Sequence, residues 1–223
     1  LMSYRDEPTE YFTTTISEME GNLLPVNWNE NGISVYGNFG KRKHLYYNLS
    51  VINGLDNSAF SSAGWVQRGS QKRFETVNAE NLALAARFDY TGDDENRVGI
   101  SGFIGNSTGN RPKPDLDAAA WVAMVDAHFI WEFEPLEAAG MFLYGTLSNS
   151  EAVSEANRNL SNNLNVKRSP VGAAAMGAFL ELGVEVFDLF LDDSRKHPDR
   201  ELHLFGRYDY YDSMYKTQGQ VFN

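Results

Sequence analysis

Cysteine is absent from the 223 residues, which excludes disulfide scaffolds, thiolate metal sites and cysteine nucleophiles. Basic residues are outnumbered: 19 Lys and Arg stand against 30 Asp and Glu, for a formal charge of −11. No cationic block offsets that balance, so nucleic acid is not an expected partner. Long apolar runs are missing too. The longest, Val171 to Leu180, falls well short of the roughly 18 residues that cross a bilayer as a helix. A mean hydropathy of −0.42 is also too polar for a helical membrane bundle. The opening residues Leu1-Met2-Ser3-Tyr4-Arg5-Asp6-Glu7-Pro8 lack the apolar core of a secretory signal, so the chain reads as mature or as a fragment. Two classes survive: a soluble domain, and a membrane β-barrel, which hydropathy overlooks because only alternate residues meet lipid.

Aromatic residues are plentiful (11 Tyr, 14 Phe, 4 Trp) and proline is sparse at 7, which suits strands. From His44 to Asn53, Leu45, Tyr47, Leu49 and Val51 fall on one side and Tyr46, Asn48 and Ser50 on the other. That period of two predicts a strand. Ile33, Val35 and Phe39 alternate likewise, and Gly40-Lys41-Arg42-Lys43 joins the two runs into a tight hairpin. A second hairpin pairs Leu82 to Tyr90 with Arg97 to Gly105. The third runs Ala119 to Phe133, turns near Glu134-Pro135 and returns over Glu137 to Leu147; the fourth pairs Gly177 to Phe187 with Glu201 to Tyr211. Residues 119–133 are Ala-rich enough for a helix, but a helix sets Asp126 and His128 on different faces, whereas a strand aligns both with Glu132.

Between hairpins lie polar stretches, Gly54 to Glu80, Asn106 to Asp117 and Ser148 to Pro170, the last holding a possible short helix at Glu151 to Leu160. Connections therefore alternate short and long. Outer-membrane barrels do this, with short periplasmic turns and long outer loops. Aromatics also mark both ends of the apolar face. Phe39, Tyr47, Phe88, Tyr90, Phe129, Trp131 and Phe133 sit beside short turns, and Trp121, Tyr144, Tyr208 and Tyr210 beside long loops, as interfacial belts require. A soluble sandwich alternates as well and is the rival, with Trp121, Phe129 and Trp131 filling its core. The expected fold is an all-β, antiparallel, up-and-down transmembrane barrel occupying residues 1–223 as one domain.

The four histidines show no His-Glu-x-x-His spacing, and no Gly-x-Ser-x-Gly elbow or phosphate-binding Gly-Lys-Ser/Thr loop occurs. No catalysis, cofactor or metal is expected. The polar side of the strands carries Arg87, Asp89, Asp126, His128, Glu132, Glu181, Glu185, Glu201, His203, Arg207 and Asp209. Unpaired charges are costly in a dry interior, so these residues are expected to line a wet pore that passes small polar solutes or ions. Arg68, Lys72 and Arg73 cluster in the first long loop. Folded inward, they would form a constriction that attracts anions; folded outward, they are solvated cations.

These residues resemble a known family. Arg5-Asp6-Glu7-Pro8-Thr9, followed by Leu24-Pro25, Trp28, Glu30, Gly32 and Ile33, is similar to the His-Glu-Pro loop and Ile-Pro-x-x-Trp-x-Glu-x-Gly strand entry of the phosphate-selective porins O and P of bacterial outer membranes. Asn48 to Asp56 and Gly64 to Lys72 are similar as well. Phe205-Gly206-Arg207-Tyr208-Asp209-Tyr210-Tyr211-Asp212 resembles a late family strand reading Phe-x-Arg-Tyr-Glu-x-Tyr-Asp. The resemblance implies an outer-membrane location in a Gram-negative bacterium, a barrel of about sixteen strands, lipid contact and a homotrimer. The eight or so strands present here would then be an internal portion of a longer chain. Inward cations reduce to Arg68, Lys72, Arg73, Arg87 and Arg207 among many carboxylates, so general diffusion or another solute stands beside phosphate. A plugged barrel serving as scaffold or receptor through its long loops is the alternative.

Overall fold

A computed structural model describes residues 15–25, 28–40, 44–71, 78–92, 96–158, 160, 169–187 and 202–219. Eight strands appear among them: β1 Gly32–Phe39, β2 Leu45–Asn53, β3 Leu82–Thr91, β4 Arg97–Asn106, β5 Trp121–Phe133, β6 Leu136–Leu147, β7 Ala174–Glu185 and β8 His203–Lys216. Each pairs antiparallel with its sequence neighbour to give one sheet of order β1 to β8. The all-β, up-and-down architecture agrees with the alternation read from the sequence. Among the described residues β1 pairs only with β2, and β8 only with β7, so neither edge strand has a second strand partner among them.

The sheet has two unlike faces because every strand keeps its two-residue period and the registers match. Leu45, Tyr90, Val98, Phe129, Gly140, Leu180 and Tyr208 stand in one cross-strand row. Its neighbouring rows add Phe88, Ile100, Phe142 and Val125, Tyr144. This face is bare: Ile33 is 78% exposed, Ile100 56%, Trp131 61% and Leu204 68%. The opposite face is covered toward the long-loop end, where the core lies. Met19 and Leu23 of a short helix, α1 (Glu18–Leu23), join Leu55, Phe60, Trp65 and Val66 of the β2–β3 connection against Phe103, Val122, Met124, Met141 and Leu143 of the sheet.

Local chemistry explains the covering elements. Ser17 caps α1: its Oγ accepts from the Glu20 N–H at 3.1 Å, satisfying one orphan donor of the helix start, and its own proton goes to Glu20 Oε2 at 2.7 Å. The Met19 N–H then donates to Asp209 Oδ1 on β8 at 3.2 Å, fixing α1 against the sheet. Trp65 Nε1 donates to the Gly172 carbonyl at 3.1 Å, so the fully buried indole satisfies its one donor.

The short-long alternation holds over six connections and breaks at the seventh. The link from β7 to β8 spans residues 186–202 and lies at the same end of the sheet as the tight turns. The helix foreseen at Glu151 to Leu160 forms over Ser150–Arg158 as α2. Gly145 faces Trp65 so closely that a methyl group there would overlap the indole. Gly145→Ala is therefore expected to destabilise the fold by about 1–3 kcal/mol, as overpacked cores do, with a shift in tryptophan emission. Urea unfolding followed by fluorescence measures both, and an unchanged midpoint would contradict this packing.

Candidate functional site

The strand register brings the predicted polar residues onto the covered face in two clusters. In the first, Arg87, Ser101 and Asp126 stand in one cross-strand row and Asp89, Gly99 and His128 in the next. Arg87 Nε donates to Asp89 Oδ2 at 2.9 Å. The ring of His128 lies between two carboxylates, with Nε2 3.0 Å from Asp89 Oδ1 and Nδ1 2.5 Å from Asp126 Oδ1. The Ser101 hydroxyl donates to the other Asp126 oxygen. A neutral imidazole donates through one nitrogen only, so both contacts are hydrogen bonds only when the trio holds one proton beyond a neutral ring and two carboxylates.

Gly99 makes this arrangement possible. A Cβ at that position would overlap both Asp89 Oδ1 and His128 Nε2, so the β4 backbone must be bare for the two side chains to meet across it. Sequence reasoning missed Gly99 and Ser101, although the strand period alone places them on the charged side.

The second cluster lies on β7 and β8. Arg207 Nε donates to Asp209 Oδ2 at 3.0 Å, and Nη1 stands 3.7 Å from Glu181 Oε2. Arg207 Nη1 also donates to the Thr15 carbonyl at 2.8 Å, tying the segment before α1 to the sheet. Met141 and Phe179 separate the two clusters along the row from His128 to Asp209.

The residues expected to line a wet pore differ from one another in their surroundings. Asp89, Asp126, His128 and Glu181 are each less than 5% exposed, and each lies beside a side chain of opposite charge or a hydrogen-bond partner. Arg207 and Asp209 are half-buried, Glu185 accepts from the Leu202 N–H at 2.8 Å, and His203 Nδ1 lies 3.8 Å from Glu137. Glu132 is exposed at the turn end of β5. Glu201 lies outside the described residues, as do Lys72 and Arg73. Arg68 is exposed, but its loop packs onto the covered face through Phe60, Trp65 and Val66. No group of three or more His, Asp or Glu suited to a metal occurs among the described residues.

Two further polar features were not foreseen. Arg111 is buried and clamps the long loops together: Nη1 donates to Asn57 Oδ1 at 2.6 Å and Asn157 Oδ1 at 2.8 Å, and Nε to Asp115 at 2.8 Å. The long Asn-rich loops gave a compositional hint of such a network. Glu30 accepts from Trp28 Nε1 at 3.2 Å and from the Gln71 N–H at 3.1 Å. Burial raises its carboxyl pKa above the usual value, and the Gln71, Trp28 and Ser70 donors offset part of the rise.

No family model matches this chain, and no solved structure does. An uncharacterized protein of Aquifex aeolicus (strain VF5) is 25% identical over 214 residues, covering 93% of this chain and 44% of that protein. The chain therefore spans less than half the length of the curated relative it matches.

Gly99→Ala is expected to part Asp89 from His128 and cost about 1–3 kcal/mol, the penalty for leaving buried polar partners unmade. Equilibrium unfolding of this variant beside Gly102→Ala, a site on the bare face where an added Cβ has ordinary contacts, checks it. Equal stability of the two variants would contradict the network.

Proposed function

We propose that the chain is part of an outer-membrane β-barrel porin through which small hydrophilic solutes or ions, anions among them, diffuse passively. One observation carries this reading: all eight strands expose Ile, Leu, Val, Phe, Trp and Tyr on the same face, while the charges gather on the other. Eight strands about 4.8 Å apart and about ten residues long make a face on the order of 1,200 Å², against roughly 300–600 Å² for the largest apolar patch on a typical soluble monomer. Acyl chains are the natural cover for a surface of that size. Strands of 8 to 14 residues also suit the roughly 9–11 tilted residues that cross the hydrocarbon.

Edge strands with no second partner among the described residues favour a larger cylinder. β1 is exposed on both faces over most of its length, and an unpaired edge of that kind invites further strands. The Aquifex relative is more than twice as long as the matched region, and the porin O and P resemblance implies about sixteen strands. In this reading Arg87, Asp89, Asp126, His128, Glu132, Glu181, Glu185, Arg207 and Asp209 belong to the pore wall, and the Arg68 loop narrows it. The homotrimer rests on the resemblance.

The inward packing of α1 and of residues 55–66 favours a second reading, a barrel plugged at its loop end that serves as scaffold or receptor. Conductance separates the two. Reconstituted in a planar bilayer, the whole protein is expected to give stepwise currents. Ile100→Lys, in mid-strand on the bare face, is expected to cost about 2–4 kcal/mol of stability in lipid, as cations on a lipid-facing wall do. A folded protein that passes no current favours the plug, and one that stays soluble without detergent overturns both.

A further inference from the structure

Where β2, β3 and β4 meet the segment before β1, the covered face holds a cavity of about 280 Å³ lined by Trp28, Glu30, Asn48, Ser50, Arg87 and Phe103. Its volume falls near the lower end of the roughly 300–1,000 Å³ range of small-molecule sites. The Trp28 and Phe103 rings, 5.0 Å apart between centroids, supply an apolar wall. The polar groups are arranged so that both donors and acceptors have capacity left. Asn48 uses its carbonyl oxygen to accept from Ser50 Oγ at 2.9 Å, which leaves its amide N–H groups for the cavity. Glu30 commits Oε1 to Trp28 and Gln71, while Oε2 is buried without a hydrogen-bond partner. A buried carboxylate oxygen in that state has room for a further donor, beside the Ser70 hydroxyl that also favours the ionised carboxylate.

Three ligand chemistries compete for such a set. An anion would oppose the Glu30 carboxylate. A cation would meet the Arg87 guanidinium and could accept nothing from Asn48. A neutral hydroxyl group does both jobs, donating to the carboxylate while accepting from the amide, and a ring carrying several hydroxyls has apolar faces to lay on Trp28. We infer that this cavity is a binding subsite for a neutral polyhydroxylated solute of monosaccharide size, held by Glu30 and Asn48 against Trp28. The inference rests on the porin reading only in treating that solute as cargo.

The test is a titration of the full chain, refolded in detergent, with D-glucose, inorganic phosphate and choline, followed by tryptophan fluorescence. Glucose is expected to give the largest saturable change, and Trp28→Phe to abolish it. Asn48→Ala is expected to weaken binding by about fivefold to tenfold, the value of one hydrogen bond. Glu30→Gln, which lies outside the strands, should weaken it similarly and serves where Asn48→Ala fails to fold. The inference is overturned if glucose gives no saturable change, as for a cavity holding water alone. It also falls if phosphate or choline binds better, or if both variants bind like the parent. A chain that binds glucose but carries no current keeps the site and removes the porin; one that conducts without binding glucose does the reverse.

Discussion

A two-residue period, kept in register over eight antiparallel strands, is the constraint on which the molecule depends. One residue of slip in any pairing would send that strand's apolar set to the charged side. The register is held from the covered face, where α1, Trp65 and the Arg111 clamp grip the loop end and the Asp89–His128–Asp126 ladder ties β3 to β5 across β4. The bare face needs no such fasteners. Its rows of Leu, Ile, Val and aromatic residues are specified by the same pairings and stay exposed among the described residues.

Charge on the covered face is handled by local neutralisation. An isolated ion in a poorly hydrated place costs several kcal/mol, whereas a paired and hydrogen-bonded one costs far less. His128 between two carboxylates, with Arg87 beside one of them, satisfies that requirement within a few ångströms. Glu181, Arg207 and Asp209 repeat it on β7 and β8. In the porin reading the wall is then a mosaic of paired clusters, the one on β7 and β8 keeping two carboxylates to one guanidinium, and more exposed groups such as Glu132 and Arg68 add to the charge offered to a passing solute.

Much of this was legible in the chain. Alternation at Leu82, Leu84, Ala86 and Phe88, or at Val98 and Ile100, gives strands whose ends fall within three residues of those observed, because a half-buried strand writes its period directly into sequence. The faces of Asp89, Asp126, His128, Glu181 and Arg207 followed from the same count. Their partners did not, since which carboxylate meets which ring nitrogen depends on register between strands and on the missing Cβ of Gly99. The packing of the Arg68 loop onto the covered face was equally hidden, since the partners of Phe60 and Trp65 lie on strands distant in sequence. The long β7–β8 link went against the rule of short turns at that end, which describes a tendency of the architecture and has no counterpart in the strand period.

Four tryptophans divide between the two faces and permit a direct test of the central claim. Trp121 and Trp131 stand on the bare side at 49% and 61% exposure, while Trp65 is 1% exposed on the covered side and Trp28 packs against Phe103. Single-tryptophan variants in vesicles made with brominated lipids report contact with acyl chains through quenching. Strong quenching of Trp121 and Trp131 with little for Trp65 is the predicted result. Equal quenching of all three, or a bare-face tryptophan that bromine does not reach, would contradict the assignment of that face to lipid.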